Sequence, residues 1–151
     1  MIGAGLETDM FLVCGEALMD VFAAGETAEG VALDARVGGS PFNVAVGLAR
    51  MAQPVAFIGG ISSDAFGQRL LRALQQEGVD TSNVQMQSAP TTLSVVTSNA
   101  DGVPTYAFHG EHGADRQLDP RSLETLPAAA RVLQLGSYAM VVEPVASTLR
   151  L

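Results

Sequence analysis

Gly38-Gly39-Ser40-Pro41-Phe42-Asn43-Val44-Ala45 decides how this chain is read, because it joins an extended segment to a strongly helical one. Two glycines let the backbone turn sharply and pass close to a ligand, with no Cβ in the way. Ser40 suits an N-cap and Pro41 the first helical position. The sequence therefore predicts a helix from Pro41 to about Ala52 that buries Val44, Leu48 and Met51. The free N–H groups of its first turn then face whatever sits over the glycines. Asn43, one turn in, both donates and accepts hydrogen bonds, and a purely structural helix gains little from asparagine. The combination suits a neutral polyhydroxy ligand such as a sugar. A plain tight turn into a helix accounts for Gly38 and Gly39 under either reading.

Working outward, Phe11 to Gly15 is a short apolar run that reads as a buried strand, with Glu16 and Asp20 just past its end. Val31, Leu33, Ala35 and Val37 alternate, so Val21 to Val37 reads as a half-exposed strand pair. Beyond the helix, Pro54 resets the chain and Val55 to Ile58 is a second buried strand. Strand, helix and strand in this order predict a parallel βαβ unit with a right-handed crossover. The pattern repeats: Asp64 as N-cap, Phe66, Leu70 and Leu74 at helical spacing, Gly78 at C′, then a short strand over Val84 to Gln87.

Thr91 to Ser98 and Thr105 to Phe108 flank Asn99-Ala100-Asp101-Gly102, a hairpin signal. Asp119-Pro120 begins another helix, and Val132 to Leu135 is another buried strand. Glu143-Pro144 opens a helix still running at Leu151. The alternation predicts an α/β sheet covered on both faces. Two pieces fall outside that sheet, about 21–37 and 91–109, and together they read as a small β-sheet lid over a ligand.

Composition narrows the function. The chain has 151 residues, 48% hydrophobic and 16% charged, enough for one domain with a real core. A net charge of −8 argues against nucleic acid or an anionic membrane as partner. All eight basic residues are arginine, so this chain holds no Walker-type phosphate loop, Schiff-base lysine or lysine general base. Cys14 is the single cysteine, so no internal disulfide forms, which fits a reducing cytoplasm. Its apolar setting predicts a buried, inert thiol. Met1 to Asp9 carries two acids and no base, so neither a signal nor a transit peptide is expected there, and the first ten residues read as a ragged extension. No stretch approaches the length of a membrane span. Met10, Met19, Met51, Met86 and Met140 read as core.

Ligands of open α/β sheets bind beyond the carboxyl ends of the strands. Asp20 leaves the first strand at that edge and could accept hydrogen bonds from two sugar hydroxyls; a solvated loop acid is the other reading. Glu143 again places an acid at a strand end, where it either faces the ligand or favours a helix N-terminus through the macrodipole. His109 and His112 with Glu111 between them fit no common zinc spacing and read as surface or lid residues. Asp115 and Arg116 form a local ion pair or border the ligand. Gly59, Gly60 and Gly67 do not make a G-x-G-x-x-G fingerprint.

Taken together, these stretches resemble the ribokinase/PfkB family of carbohydrate kinases over almost the whole chain from Phe11 onward. Gly38 to Ala45 looks like the family's first signature, and Gly15-Glu16-Ala17-Leu18-Met19-Asp20 like its opening strand and sugar-binding acid. Asp64-Ala65-Phe66-Gly67 and Glu77-Gly78-Val79 stand where the family has similar residues. Tyr106 to Glu111, Ala114-Asp115-Arg116 and Glu143 to Ser147 look most like bacterial fructokinases. Ala52 and Ser62 depart from the signature's usual glycines; both are small and are expected on the far side of the helix from the sugar.

The resemblance implies a ribokinase-like three-layer α/β/α sandwich with a β-sheet lid. It also implies that Asp20, Gly38, Gly39 and Asn43 hold sugar hydroxyls with Glu143 nearby, and that Phe108 and His109 come from the lid. Arg116 is the one arginine placed near this pocket. Family members are about twice as long, and their later half carries the Gly-Ala-Gly-Asp motif with the base and the ATP-binding segments. No such motif occurs here. The expectation is the sugar-binding half of an ATP- and Mg2+-dependent sugar kinase, most like a fructokinase, with no catalytic base and no metal ligand of its own. It would bind a small sugar and could dimerise through open lid edges. A non-catalytic sugar-binding or dimerisation module, and a kinase for 2-keto-3-deoxygluconate, ribose or a nucleoside, are the alternatives.

Overall fold

The computed structural model describes residues 9–98, 101 and 103–150. In chain order its elements are β1 (Met10–Cys14), β2 (Leu18–Glu26), β3 (Val31–Gly38), α1 (Ser40–Arg50), β4 (Val55–Ser62) and α2 (Ala65–Gln76). There follow β5 (Val84–Gln87), β6 (Leu93–Ser98), β7 (Pro104–His109), β8 (Ala130–Leu135) and the short α3 (Val145–Thr148). Short 3-10 turns cover Ala114–Arg116, Pro120–Thr125 and Tyr138–Met140.

The strands form two four-stranded sheets. The first has the order β5-β4-β1-β8 with every pair parallel. Its residues alternate between two cores, as the pleat requires. Val13 and Phe57 face α1 and α2 with Phe42, Ala45, Leu70 and Leu74, whereas Leu12, Cys14, Ala56 and Ile58 face Leu118, Ala139 and Val145 on the other side. Burial on both faces explains why β1 and β4 read as continuous apolar runs rather than alternating ones. Cys14 lies inside this second core, and burial pushes its thiol up to about 12. Among the described residues no helix is long and apolar enough to cross a membrane.

The second sheet has the order β3-β2-β6-β7. It brings together the two segments that the sequence set apart from the first sheet. β2 and β6 are parallel, and β3 and β7 pair antiparallel at the edges. Its root is fixed by carboxylates. Asp64 accepts from Gly67 N–H at 2.7 Å as the N-cap of α2, and also from the Thr91 N–H at 2.9 Å and the Thr91 hydroxyl at 2.7 Å. Asp115, buried, accepts from the Thr92 hydroxyl at 2.5 Å, and burial pushes its carboxyl above the ordinary aspartate value against that donor.

Several expectations change. Gly39, not Ser40, is the N-cap of α1; Ser40 is already helical and makes no capping bond through its side chain. The helix buries Phe42 and Ala45, leaves Val44 and Leu48 half-buried, and Met51 just past its end is 64% exposed. Met86 is exposed as well, on β5 at the sheet edge. β8 is the opposite edge, so Val132 and Leu133 are 47% and 52% exposed where the sequence predicts a buried strand. Asp119-Pro120 starts a 3-10 turn rather than an α-helix, cut short by Pro127, which disfavours helix at Leu126. Glu143-Pro144 leads into the four residues of α3. The ragged extension lies outside the described residues over 1–8, as do Asn99, Ala100 and Gly102 of the hairpin turn and the helix end at Leu151.

The Asp64 network gives a pH signature. Burial raises the Asp64 carboxyl, but the donors from Gly67 and Thr91 outweigh it and hold the group below its ordinary value of 3.8. A lowered folded value stabilises the fold above the unfolded value, and the contribution is lost as pH falls through the folded one. Asp64→Ala should therefore cost about 1–2 kcal/mol at pH 7. In urea titrations that deficit should shrink as pH drops below 3.8. A deficit that is the same at pH 7 and at low pH would contradict this account.

Candidate functional site

Strand order in the first sheet reverses at β1, which has β4 on one side and β8 on the other. In parallel sheets ligands bind beyond the carboxyl ends at such a point. Here the chain leaves β1 through Gly15-Glu16-Ala17 and leaves β8 through Gly136-Ser137-Tyr138. Glu16 ties the two exits together. It is 2% exposed, and its Oε1 accepts from the Ser137 hydroxyl at 2.8 Å and the Tyr138 N–H at 3.3 Å, while Oε2 accepts from the Ala139 N–H at 3.0 Å. A carboxylate taken out of water needs such donors, and charge-assisted bonds to it are strong ones.

The start of α1 closes onto the same place. Gly39 has φ 107°, and a Cβ there would stand 2.5 Å from the Glu16 carbonyl oxygen. Only glycine combines that backbone with that approach. Ser40 and Asn43 then open onto the cleft above.

The second sheet supplies the facing wall. Its register aligns Asp20 with Arg36 on one side and Ser94 on the other, and Ser94 with Phe108. With side chains alternating at period 2, Leu18, Asp20, Ser94, Tyr106 and Phe108 share the face that looks into the cleft. Phe108 stacks on Tyr138 with ring centroids 4.4 Å apart and planes 14° from parallel, which joins the two sheets across the site. The cleft measures about 370 Å³.

Its electrostatics are simple. Among the described residues no arginine or histidine lines it, and Arg36 turns away to Asp34 at 2.7 Å. No donor among the described residues reaches the half-buried Asp20 carboxylate. A cleft with an unanswered acceptor, an asparagine amide and aromatic walls can hold a neutral ligand rich in hydroxyls and bearing an apolar face.

Of the residues singled out in the sequence, Asp20, Gly39, Asn43 and Phe108 meet in this cleft. Gly38 stands behind it: a Cβ there would run into the Asp20 carboxylate, so the glycine makes room for that group. His109 pairs with Leu93, one residue on from Phe108, and alternation sends it to the opposite face. Arg116 and Glu143 line a neighbouring hollow of about 470 Å³ with His112 and Pro144. Arg116 does not pair with Asp115; it donates to the Tyr138 hydroxyl at 2.5 Å and to the Glu111 carbonyl at 3.3 Å. Glu143 accepts from Ser147 N–H at 3.1 Å and from Arg150 at 2.6 Å, and the Ser147 bonds hold its carboxyl below the usual range.

Sequence reasoning missed Glu16 as a buried anchor, and missed Leu18, Ser94, Tyr106, Ser137 and Tyr138 as lining residues; Ser40 was read only as a cap. Ser94 carries a readable signal, a small polar residue inside the apolar run Leu93 to Val96. Glu16 carries none, since its partners lie more than 120 residues away.

Comparison with known proteins gives a consistent result. The sequence profile of the pfkB family carbohydrate kinases matches residues 8–149. A fructokinase from Rhizobium leguminosarum bv. trifolii is 33% identical over 139 residues, covering 92% of this chain and 42% of the relative. A fructokinase from Solanum tuberosum is 33% identical over 150 residues, covering 94% and 46%. Among solved structures, the fructokinase from Xylella fastidiosa with bound ATP superposes with a TM-score of 0.83 at 28% identity, over 94% of this chain and 46% of that one. The chain thus spans less than half the length of these relatives.

The Glu16 anchor can be tested without any ligand. Glu16→Ala leaves the buried Ala139 N–H and the half-buried Tyr138 N–H unanswered and should lower the unfolding free energy on the order of 2–4 kcal/mol in equilibrium denaturation. Glu16→Gln should be intermediate, because its amide nitrogen cannot accept from either N–H. Wild-type stability in both variants would remove Glu16 from this role.

Proposed function

The chain belongs to the pfkB family of carbohydrate kinases, and on that premise we propose that it provides the sugar-binding half of an ATP-dependent fructokinase. The whole protein would transfer the γ-phosphoryl group of Mg-ATP to a primary hydroxyl of fructose. The observation that carries the reading is the Asp20 carboxylate: it lines the cleft beside the start of α1, and no donor among the described residues answers it.

In this reading Asp20 accepts from two sugar hydroxyls, Asn43 donates and accepts one turn into α1, and the backbone at Gly39 passes close to the ring. Phe108 and Tyr138 cover the apolar face of the sugar. Gly38 acts through Asp20. Arg116 acts through Tyr138, and Glu143 borders the neighbouring hollow. The second sheet serves as the lid, and its closure excludes water that would otherwise compete as phosphoryl acceptor. An anionic acceptor would call for a cation in the cleft, and none lines it among the described residues, which favours a neutral sugar.

Mg-ATP enters as co-substrate. Among the described residues no group of three or more His, Cys, Asp or Glu side chains converges to hold a metal. The base that takes the proton of the attacking hydroxyl is assigned to a part of the protein beyond these 151 residues.

Two measurements test the proposal. Asp20→Ala should weaken calorimetric binding of D-fructose at least about tenfold while leaving the circular dichroism spectrum unchanged, as expected when a charged acceptor of two hydrogen bonds is lost. Unchanged affinity would take Asp20 out of the site. The 151-residue chain by itself should form no ADP in a fructose-dependent steady-state assay. Turnover there would place the base within this chain.

A further inference from the structure

Three hydroxyl side chains enter the second sheet close together, and one of them is out of step. Thr91 donates to Asp64 and Thr92 donates to Asp115. Ser94 is 1% exposed, yet among the described residues its Oγ has no hydrogen-bond partner. A buried hydroxyl in that condition costs stability, and native structures tolerate few of them. Ser94 lines the cleft, and its register partners are Asp20 on β2 and Phe108 on β7. The orphan hydroxyl therefore sits one strand from the unanswered carboxylate and one strand from the aromatic wall.

We infer that Ser94 is a specificity residue of the sugar site, its hydroxyl bonding a sugar hydroxyl next to those held by Asp20. The inference rests on the reading of the cleft as a sugar site and adds a residue and a discrimination to it. Strands about 4.8 Å apart place the two side chains at the separation that neighbouring substituents of one ring can span. Asp20 only accepts, whereas a serine hydroxyl both donates and accepts, so Ser94 answers a further hydroxyl without fixing the direction of that bond. A ligand lacking that further hydroxyl restores the buried orphan, and sites built to bond a hydroxyl reject analogues without it. The cost carried by the ligand-free protein is thus recovered only with the correct ligand.

The test is a cycle between protein and ligand. D-fructose and its monodeoxy analogues are titrated calorimetrically into the 151-residue chain and into Ser94→Ala, and the melting temperature of each ligand-free protein is measured. The variant should bind fructose about three- to tenfold more weakly. One deoxy analogue should bind wild type more weakly by a similar factor and be indifferent to the substitution. Without ligand the variant should melt at or above wild type, because an unpartnered buried hydroxyl has been removed.

Wild-type binding of fructose with an unchanged affinity in Ser94→Ala overturns the inference while leaving the sugar site standing. An equal loss for every analogue does the same, since it reports packing rather than one bond. A ligand-free variant that melts well below wild type gives the hydroxyl a structural task and also overturns it. No fructose binding by wild type overturns the sugar reading of the cleft, and this inference with it.

Discussion

Glu16 enters the interior as a carboxylate, and the protein must surround it with donors taken from the far end of the chain. Those donors are Ser137, Tyr138 and Ala139, which begin the segment leaving β8. Meeting them fixes how the ends of two parallel neighbours, β1 and β8, lie relative to one another. Tyr138 is then held where Phe108 stacks on it and Arg116 reaches its hydroxyl. The carbonyl of the same Glu16 sits against Gly39, so the start of α1 is set by the residue that sets the strand exits. The cleft is the space left between these three constraints.

The acids of this chain divide by whether the fold answers them. Glu16, Asp64 and Asp115 are each met by donors and hold elements together. Asp64 and Asp115 do so at adjacent residues, Thr91 and Thr92, which anchors the root of β6 to the body. Among the described residues Asp20 has been given space rather than partners: the missing side chain of Gly38 leaves it room. A group that is placed but not satisfied is where a ligand gains most, because the cost of desolvating it has already been met in part.

The fold was legible where local chemistry and pattern agree. Asp64 and Gly78 bracket α2 as cap and C′ residue, and the apolar runs of β1 and β4 announced strands buried on both faces. Gly39 and Asn43 could be named because each breaks the pattern around it, Asp20 because it follows a strand end, and Phe108 through the family resemblance alone. Edges were not legible. Val132, Leu133 and Met86 are apolar like core residues, and only the strand order shows that they lie at the margins of a sheet. Glu16, Ser137 and Tyr138 were invisible for another reason, since their contacts join residues far apart in sequence and follow no period. His109 stands one residue on from Phe108 on the same strand, which is the whole difference between two faces.

The aromatic wall has a spectroscopic consequence. The chain has no tryptophan and two tyrosines, Tyr106 and Tyr138, and both line the cleft. Its tyrosine emission therefore originates at the mouth of one site. One phenol lies against a phenylalanine ring and a guanidinium, and the other stands open on the neighbouring strand. A molecule that entered between them would alter the surroundings of both tyrosines at once, so the native protein carries its own optical probe of occupancy.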